Sequence, residues 1–159
     1  MDMPPAEIVV TATSAYVCTP VAVQSGDGPI HCAEGRKVTL AGIAVRRIDG
    51  GCSGDACPDA SGVAARAALV QLVGERNGSW TANGMRRISG APLTCRPSAD
   101  RSRKTDMWCH DGEKQINCEM VRLGYATMLR AGWLGEGAAR CRSDDEADGG
   151  TQLAMRGTR

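Results

Sequence analysis

The stretch GVAARAALVQLV, residues 62–73, lies between two parts of the sequence that both contain predicted strands. Its apolar residues Val63, Ala67 and Val70 recur at spacings of three and four, the period of a helix with one buried face. Asp59 or Ser61 can cap the first turn. We therefore predict an amphipathic helix over residues 62–73.

The residues before this helix predict a meander of three strands. Apolar and β-branched residues dominate 16–23, 30–33 and 37–45. The run SGDGP at 25–29 and the pair Glu34–Gly35 are turn signals between them. Residues 1–15 are predicted as a polar lead-in with one short strand at 8–11, and 50–61 as a loop.

The residues after the helix predict two more strands and two more helices. The strands are expected at 85–95 and 105–110, with a turn at 78–83 and a hairpin turn at Asp111–Gly112. The helices are expected at 116–131 and at about 138–155. This order predicts an α+β fold, a five-stranded OB-fold β-barrel with three helices, as one domain over residues 16–159.

Length and charge limit the function classes. The 159 residues suffice for one domain with its own core. A formal net charge of +1 gives no bulk attraction to nucleic acid or to acidic partners. The sequence has no apolar run long enough for a membrane span, and residues 1–7 do not have the pattern of a signal peptide.

The eight cysteines indicate the compartment. They are even in number and spread along the chain rather than clustered in CxxC pairs, which predicts a disulfide framework in a periplasmic or secreted protein. The alternatives are eight reduced thiols, or a zinc site that uses His31–Cys32 and Cys109–His110. Neighbours in a strand point to opposite faces, so neither of those pairs can easily share one metal ion. Cys52 and Cys57 are close enough in sequence to clip their loop.

Three blocks over roughly residues 16–133 resemble the thermonuclease (staphylococcal nuclease-like) family. The first runs from IHC at 30–32 to VTLAGI at 38–43, where the family has a strand ending in V-R-L-A-G-I-D-x-P-E. The second is the helix within 64–73. The third is DRSRKT at 100–105, set between Cys95 and Cys109 and followed by DG, IN, MV and GYA up to Ala126.

The resemblance implies a disulfide pairing, which the sequence alone leaves open. It places Cys18 and Cys32 on the first two strands and Cys95 opposite Cys109 on the last two. The remaining pairs are the loop clip and a bond between the last two helices. The implied pairs are Cys18–Cys32, Cys52–Cys57, Cys95–Cys109 and Cys118–Cys141.

The resemblance also implies where nuclease chemistry would lie. The family holds Ca²⁺ with carboxylates, places a glutamate near the attacking water and uses two arginines on the phosphate. The arginines fall on Thr39 and on Lys104, or on Arg103 if the register slips by one. The aspartate falls on Ala44 and the glutamate on Arg47. The family tyrosine falls on Ser102, and in the acidic turn only Asp27 is left to bind metal.

These replacements predict a pseudoenzyme without a cofactor. Arg46, Arg47, Arg101, Arg103 and Lys104 are expected to converge near the former cleft, without acid partners, and to bind a phosphate, a sulfate or an anionic glycan. The expected partners of this monomer are nucleic acid or another polyanion, bound weakly, or a protein. The few aromatic residues argue against strong binding of single strands.

Two other functions stay open. One is a Ca²⁺-dependent nuclease in which Asp49 or Asp55 replaces the missing carboxylates. The other is a purely structural, disulfide-rich interaction domain. In that case the basic loop is merely solvated.

Overall fold

A computed structural model describes residues 15–54, 56–100, 102–129 and 140–141. Within these ranges the chain forms eleven strands and two helices. The strands are β1 (Tyr16–Cys18), β2 (Pro20–Ser25), β3 (Gly28–Cys32), β4 (Lys37–Leu40), β5 (Ile43–Ala44), β6 (Glu75–Trp80), β7 (Arg86–Ser89), β8 (Leu93–Pro97), β9 (Asp106–Asp111), β10 (Lys114–Gln115) and β11 (Thr127–Met128). The helices are α1 (Gly62–Val73) and α2 (Ile116–Arg122).

Nine of these strands form one mixed sheet. Its order is β1-β8-β9-β4-β3-β2-β7-β6, with β10 also paired to β9, while β5 and β11 form a separate pair. The β4–β9 pair is parallel and the other strand pairs are antiparallel. In a closed barrel the first and last strands of the order would pair, whereas here β1 and β6 lie at its two ends.

The predicted five-stranded OB-fold barrel with three helices is therefore wrong. The described residues form an open mixed sheet of nine strands with two helices. The predicted strand at 8–11, and the predicted helix at about 138–155 apart from residues 140–141, lie outside the described residues.

Several predicted strands are shorter because close packing interrupts them. The strand predicted at 37–45 ends at Leu40, since Gly42 has φ +75° and a Cβ there would lie 2.7 Å from Cη2 of Trp108. The strand predicted at 85–95 is divided near Gly90, where a Cβ would lie 2.1 Å from the Val73 carbonyl oxygen. The turn predicted at 78–83 is also wrong at its start, because β6 continues to Trp80. The helix predicted at 116–131 ends at Arg122.

The predicted bounds of α1 are confirmed. Ser61 is its N-cap, and the Ser61 hydroxyl accepts a hydrogen bond from the Ala64 N–H at 3.0 Å. The helix begins with Gly62 because the chain crosses it closely: a Cβ would lie 2.1 Å from the Arg47 carbonyl oxygen. The predicted buried face is only partly right, because Val70 is buried but Val63 is 58% exposed. The buried face of α1 includes Ala65, Ala68, Leu69, Val70 and Val73. It packs onto the turn after β2, where a Cβ on Gly26 would lie 2.6 Å from that of Ala65.

The core lies between α1, α2 and one face of the sheet. Burial of aliphatic side chains is its main source of stability, since each contributes about 1.5–3 kcal/mol. The largest fully buried aliphatic side chains are Val23, Ile30, Val38, Leu40, Val45, Leu69, Ile88, Leu93, Ile116 and Met120. A second, smaller cluster contains Ala41, Trp108, Cys118 and Cys141.

Asn117 connects α2 to β9 and to the residue that follows β4. Its side chain is fully buried, and its Nδ2 donates to the carbonyl oxygens of Ala41 at 2.9 Å and Met107 at 3.0 Å. Its Oδ1 accepts from the Cys109 N–H at 3.1 Å. The bonds satisfy backbone groups where β9 passes the end of β4, so this junction has a fixed geometry.

All four disulfides implied by the family resemblance are confirmed. Their Cα–Cα distances are 4.9 Å for Cys18–Cys32, 5.7 Å for Cys52–Cys57, 4.0 Å for Cys95–Cys109 and 5.3 Å for Cys118–Cys141. The alternatives of eight reduced thiols and of a zinc site through Cys32 and Cys109 are therefore wrong. Four disulfides are compatible with an extracellular or otherwise oxidising compartment. Neither described helix is long and apolar enough to cross a membrane.

Candidate functional site

The parallel pairing of β4 with β9 brings distant acidic residues together. Thr39 on β4 is the Cα partner of Asp106 on β9, and the Thr39 N–H donates to the Thr105 carbonyl oxygen at 2.8 Å. The turn between β2 and β3 lies beside this pair, because the Leu40 N–H donates to the Asp27 carbonyl oxygen at 2.8 Å. Asp27 and Asp106 therefore lie near each other.

Asp27 is a partly buried carboxyl with a serine partner. Burial raises its pKa above the ordinary value, and a hydrogen bond from Ser53 and the charge of Arg47 oppose that rise. The Ser53 hydroxyl also accepts from the Val45 N–H at 2.9 Å, so its own hydrogen is available to Asp27. The loop closed by Cys52–Cys57 thus supplies a hydrogen bond to this carboxyl.

Asp106 lies at the start of β9 beside an arginine. Burial raises its pKa, Arg103 opposes the rise, and the charges of Asp100 and Asp27 add to it. Nη1 of Arg103 is 3.8 Å from Asp106 Oδ2, and its Nε is 4.0 Å from Asp100 Oδ2. The members of this acid–arginine cluster are Asp27, Arg47, Asp100, Arg103 and Asp106.

The acid–arginine cluster corrects one expectation. The basic residues were expected to have no acid partners, but Arg103 lies between two aspartates and Arg47 acts on Asp27. Arg46 does not join them: its Nε donates to the Pro58 carbonyl oxygen at 3.1 Å and its Nη1 to that of Gly50 at 3.4 Å. The Arg46 side chain therefore bonds to the backbone of the loop that follows it. Arg101 and Asp55 lie outside the described residues.

The residues at the positions of the family's catalytic and metal-binding groups are poorly suited to nuclease chemistry. Ala44 is fully buried on β5. Thr39 is half-buried on β4, and Lys104 is exposed in the turn before β9. Asp49 accepts a hydrogen bond from the Gly51 N–H at 2.9 Å, within its own loop. Over the described ranges no group of three or more His, Cys, Asp or Glu side chains is suited to a metal ion.

A cavity of about 340 Å³, the Tyr16 pocket, shares Asp100 and Arg103 with the acid–arginine cluster. The Arg36 guanidinium lies 3.6 Å from the centre of the Tyr16 ring. The lining residues are Tyr16, Arg36, Pro97, Ser98, Asp100, Arg103, Lys104 and Met107. Lys104 and Arg103 belong to the predicted anion-binding set, and Asp100 brings an acid that was not expected there.

Sequence reasoning missed Tyr16 and Arg36. They are 20 positions apart, on β1 and in the turn before β4. Pairing of β1 with β8 and of β4 with β9 places them at the same pocket. No linear motif records such a contact. The one available signal was an aromatic residue at the start of a predicted strand.

Comparison with protein-family models, curated proteins and solved structures found no match to this chain. The thermonuclease resemblance therefore rests on the three sequence blocks alone. The function has to be inferred from the chain's own residues.

Proposed function

We propose that this chain is a non-catalytic, disulfide-stabilised binding domain, periplasmic or secreted, that recognises an anionic group at the Tyr16 pocket. The observation that carries the proposal is the lining of this pocket. Arg36, Arg103 and Lys104 contribute three cations, and the lining contains one acid, Asp100, while Asp106 outside the lining also pairs with Arg103.

The chemistry of these side chains favours an oxyanion. A guanidinium presents planar pairs of N–H donors that match phosphate or sulfate, and a lysine adds a compact charge. The stacking of Arg36 on Tyr16 limits the orientations of its guanidinium. A volume of about 340 Å³ is in the range of small-molecule sites. The ligand class is a phosphate, a sulfate or an anionic glycan.

The residues at the positions of the family's catalytic groups argue against nuclease chemistry in this chain. The positions of the family's second arginine, calcium aspartate and glutamate carry Lys104, Ala44 and Arg47, and a positive charge at 47 disfavours a divalent cation. Ca²⁺ prefers six to eight oxygen ligands with net negative charge. Thermonuclease-like ancestry with lost chemistry is part of this proposal.

One observation favours the nuclease alternative. Asp27 lies close enough to Asp106 for its charge to raise the pKa of the Asp106 carboxyl. A Ca²⁺ ion held near these two carboxyls would lower the pKa of both. A nuclease assay therefore accompanies the binding measurement.

Binding is measured on the ¹⁵N-labelled, fully oxidised chain by titration with inorganic phosphate and with sulfate. We expect saturable amide shifts at Ser98 and Lys104 that weaken at least about tenfold in Arg36→Ala and Lys104→Ala. The matched control is Lys114→Ala, which removes the same charge at the other end of β9. In parallel, plasmid DNA is incubated with and without Ca²⁺.

The outcomes separate the functions. Shifts that are not saturable, or that are equally weak in the control, would overturn anion binding at the pocket and leave a purely structural domain. Ca²⁺-dependent cleavage that Asp27→Ala abolishes would overturn the loss of catalysis.

A further inference from the structure

The hairpin of β6 and β7 carries a second concentration of positive charge, at the opposite end of the sheet order from β1. Residues 62–89 contain four arginines and one acid, Glu75, hence a net charge of +3 in a chain of net +1. Every residue of β6 is exposed. This segment is therefore the part of the chain with the strongest local attraction for anions.

An irregularity in the hairpin places a tryptophan among the arginines. Arg76 pairs with Ile88 and Trp80 with Arg86, so four steps along β6 match two along β7. The backbone accommodates this at Gly78, which has φ +70°. Trp80 and Arg86 are directly opposite each other and present their side chains on the same face.

Two guanidinium groups meet at this ring. The Arg86 guanidinium carbon is 4.9 Å from the ring centre of Trp80, and that of Arg66, from α1, is 4.5 Å away. The ring stays 48% exposed. These three side chains are the Trp80 patch.

The guanidinium groups of the Trp80 patch have unused donor capacity. Arg86 Nε is buried and has no hydrogen-bond partner among the described residues. Nη1 of Arg66 reaches the Gln24 and Gly84 carbonyl oxygens only at 3.4 Å. Burial and the charge of Arg86 both lower the pKa of Arg66. Two like charges with unused donors are stabilised when an anion lies between them.

We propose that the Trp80 patch binds single-stranded nucleic acid, with one phosphate between Arg66 and Arg86 and a base against the exposed part of Trp80. Single strands offer both an anion and a flat aromatic surface in each unit, which matches a patch of arginines and an aromatic ring. A sulfated glycan would use the cations but has no base for the ring. One aromatic residue limits the affinity, in keeping with the scarcity of aromatics in the chain.

This surface shares no residue with the Tyr16 pocket, so the two proposals can fail separately. The full oxidised chain is titrated into a fluorescently labelled 12-nucleotide single-stranded DNA of mixed sequence at low salt, and anisotropy is measured. We expect Arg66→Gln, Arg86→Gln and Trp80→Leu each to raise the Kd about tenfold or more. Unfolding by urea checks that each variant is folded. If Arg86→Gln does not fold, the effect of Arg66→Gln on the Kd tests the proposal.

Arg87→Gln is the matched control. Arg87 follows Arg86 on β7, and its substitution removes the same charge, but its side chain faces the other side of the sheet, beside Ala22. We expect this variant to change the Kd less than about twofold.

Three results would overturn the proposal. One is the absence of DNA binding at low salt. Another is an equal loss in Arg86→Gln and Arg87→Gln, which would indicate long-range charge alone. The third is a heparin oligosaccharide that binds more tightly than the DNA and is insensitive to Trp80→Leu, which would assign the patch to sulfated glycans.

Discussion

Asp27 shows how one residue can connect the sequence blocks to the site. The family resemblance left it as the one possible metal ligand of its turn, and the structure places it beside Ser53, Arg47 and Asp106. Its pKa is raised mainly by burial, so the folded protein holds this proton more tightly than the unfolded chain does. Stability linked to Asp27 is therefore fully present below the unfolded pKa and is lost as the pH rises through the folded pKa.

This linkage predicts the effect of Asp27→Asn. The amide is never charged and its oxygen still accepts from Ser53, so at pH 7 the variant should have a higher free energy of unfolding than the wild type. The advantage should disappear below pH 3.8, the ordinary value for an aspartate, where the wild-type carboxyl is protonated in both states. Urea unfolding between pH 3 and pH 8 measures this difference. The exposed Asp111→Asn is the control, and a variant that is less stable at pH 7 would contradict the argument.

At the scale of elements, features set by the local sequence could be predicted, whereas contacts between distant segments could not. The cap of α1 at Ser61 is a local feature and could be predicted, but its buried face could not, because the apolar series expected there begins with Val63, which is 58% exposed. The ends of β4 and β7 depend instead on Trp108 and Val73, which approach from elsewhere in the chain. The sequence of β6, ERNGSW, has no alternation of apolar and polar residues, in keeping with its full exposure, and therefore did not predict a strand.

The candidate site follows the same rule. Asp27, Arg103 and Lys104 could be named because the family resemblance places its metal-binding turn and its second arginine on these positions. The acid partners of Arg103 and the stacking of Arg36 on Tyr16 could not, since both depend on pairing of β4 with β9 and of β1 with β8.

The break between β4 and β5 gives a prediction at this scale. Gly42→Ala combines a positive φ with a Cβ only 2.7 Å and 2.8 Å from two carbons of the Trp108 ring, and Trp108 is almost fully buried. We expect a loss of about 3 kcal/mol of unfolding free energy, from backbone strain and overpacking together. Gly50→Ala is the control, because it has φ +92° with open space around its Cβ, and should lose about 1 kcal/mol. Equal losses in a urea unfolding series would show that packing against Trp108 contributes nothing.

For the whole molecule, the arrangement of the disulfides decides how the fold depends on oxidation. The four bridges close consecutive loops that do not overlap, with sequence separations of 14, 5, 14 and 23 residues. No bridge shortens the loop of another, so their effects on the unfolded chain should be nearly additive. Contacts between distant segments come instead from strand pairing, from the core shared by the sheet and both helices, and from Asn117.

Complete reduction should therefore unfold the protein. Loop-closure entropy assigns about 2 kcal/mol to Cys52–Cys57 and about 3 kcal/mol to each of the longer loops. Together they amount to about 11 kcal/mol, as much as the whole stability of a typical domain, about 5–15 kcal/mol. Circular dichroism in excess reductant should show no cooperative thermal transition, whereas a variant with Cys52→Ser and Cys57→Ser should stay folded. A cooperative transition in the reduced chain would mean that the sheet and its core suffice, and that the oxidising compartment is not needed for folding.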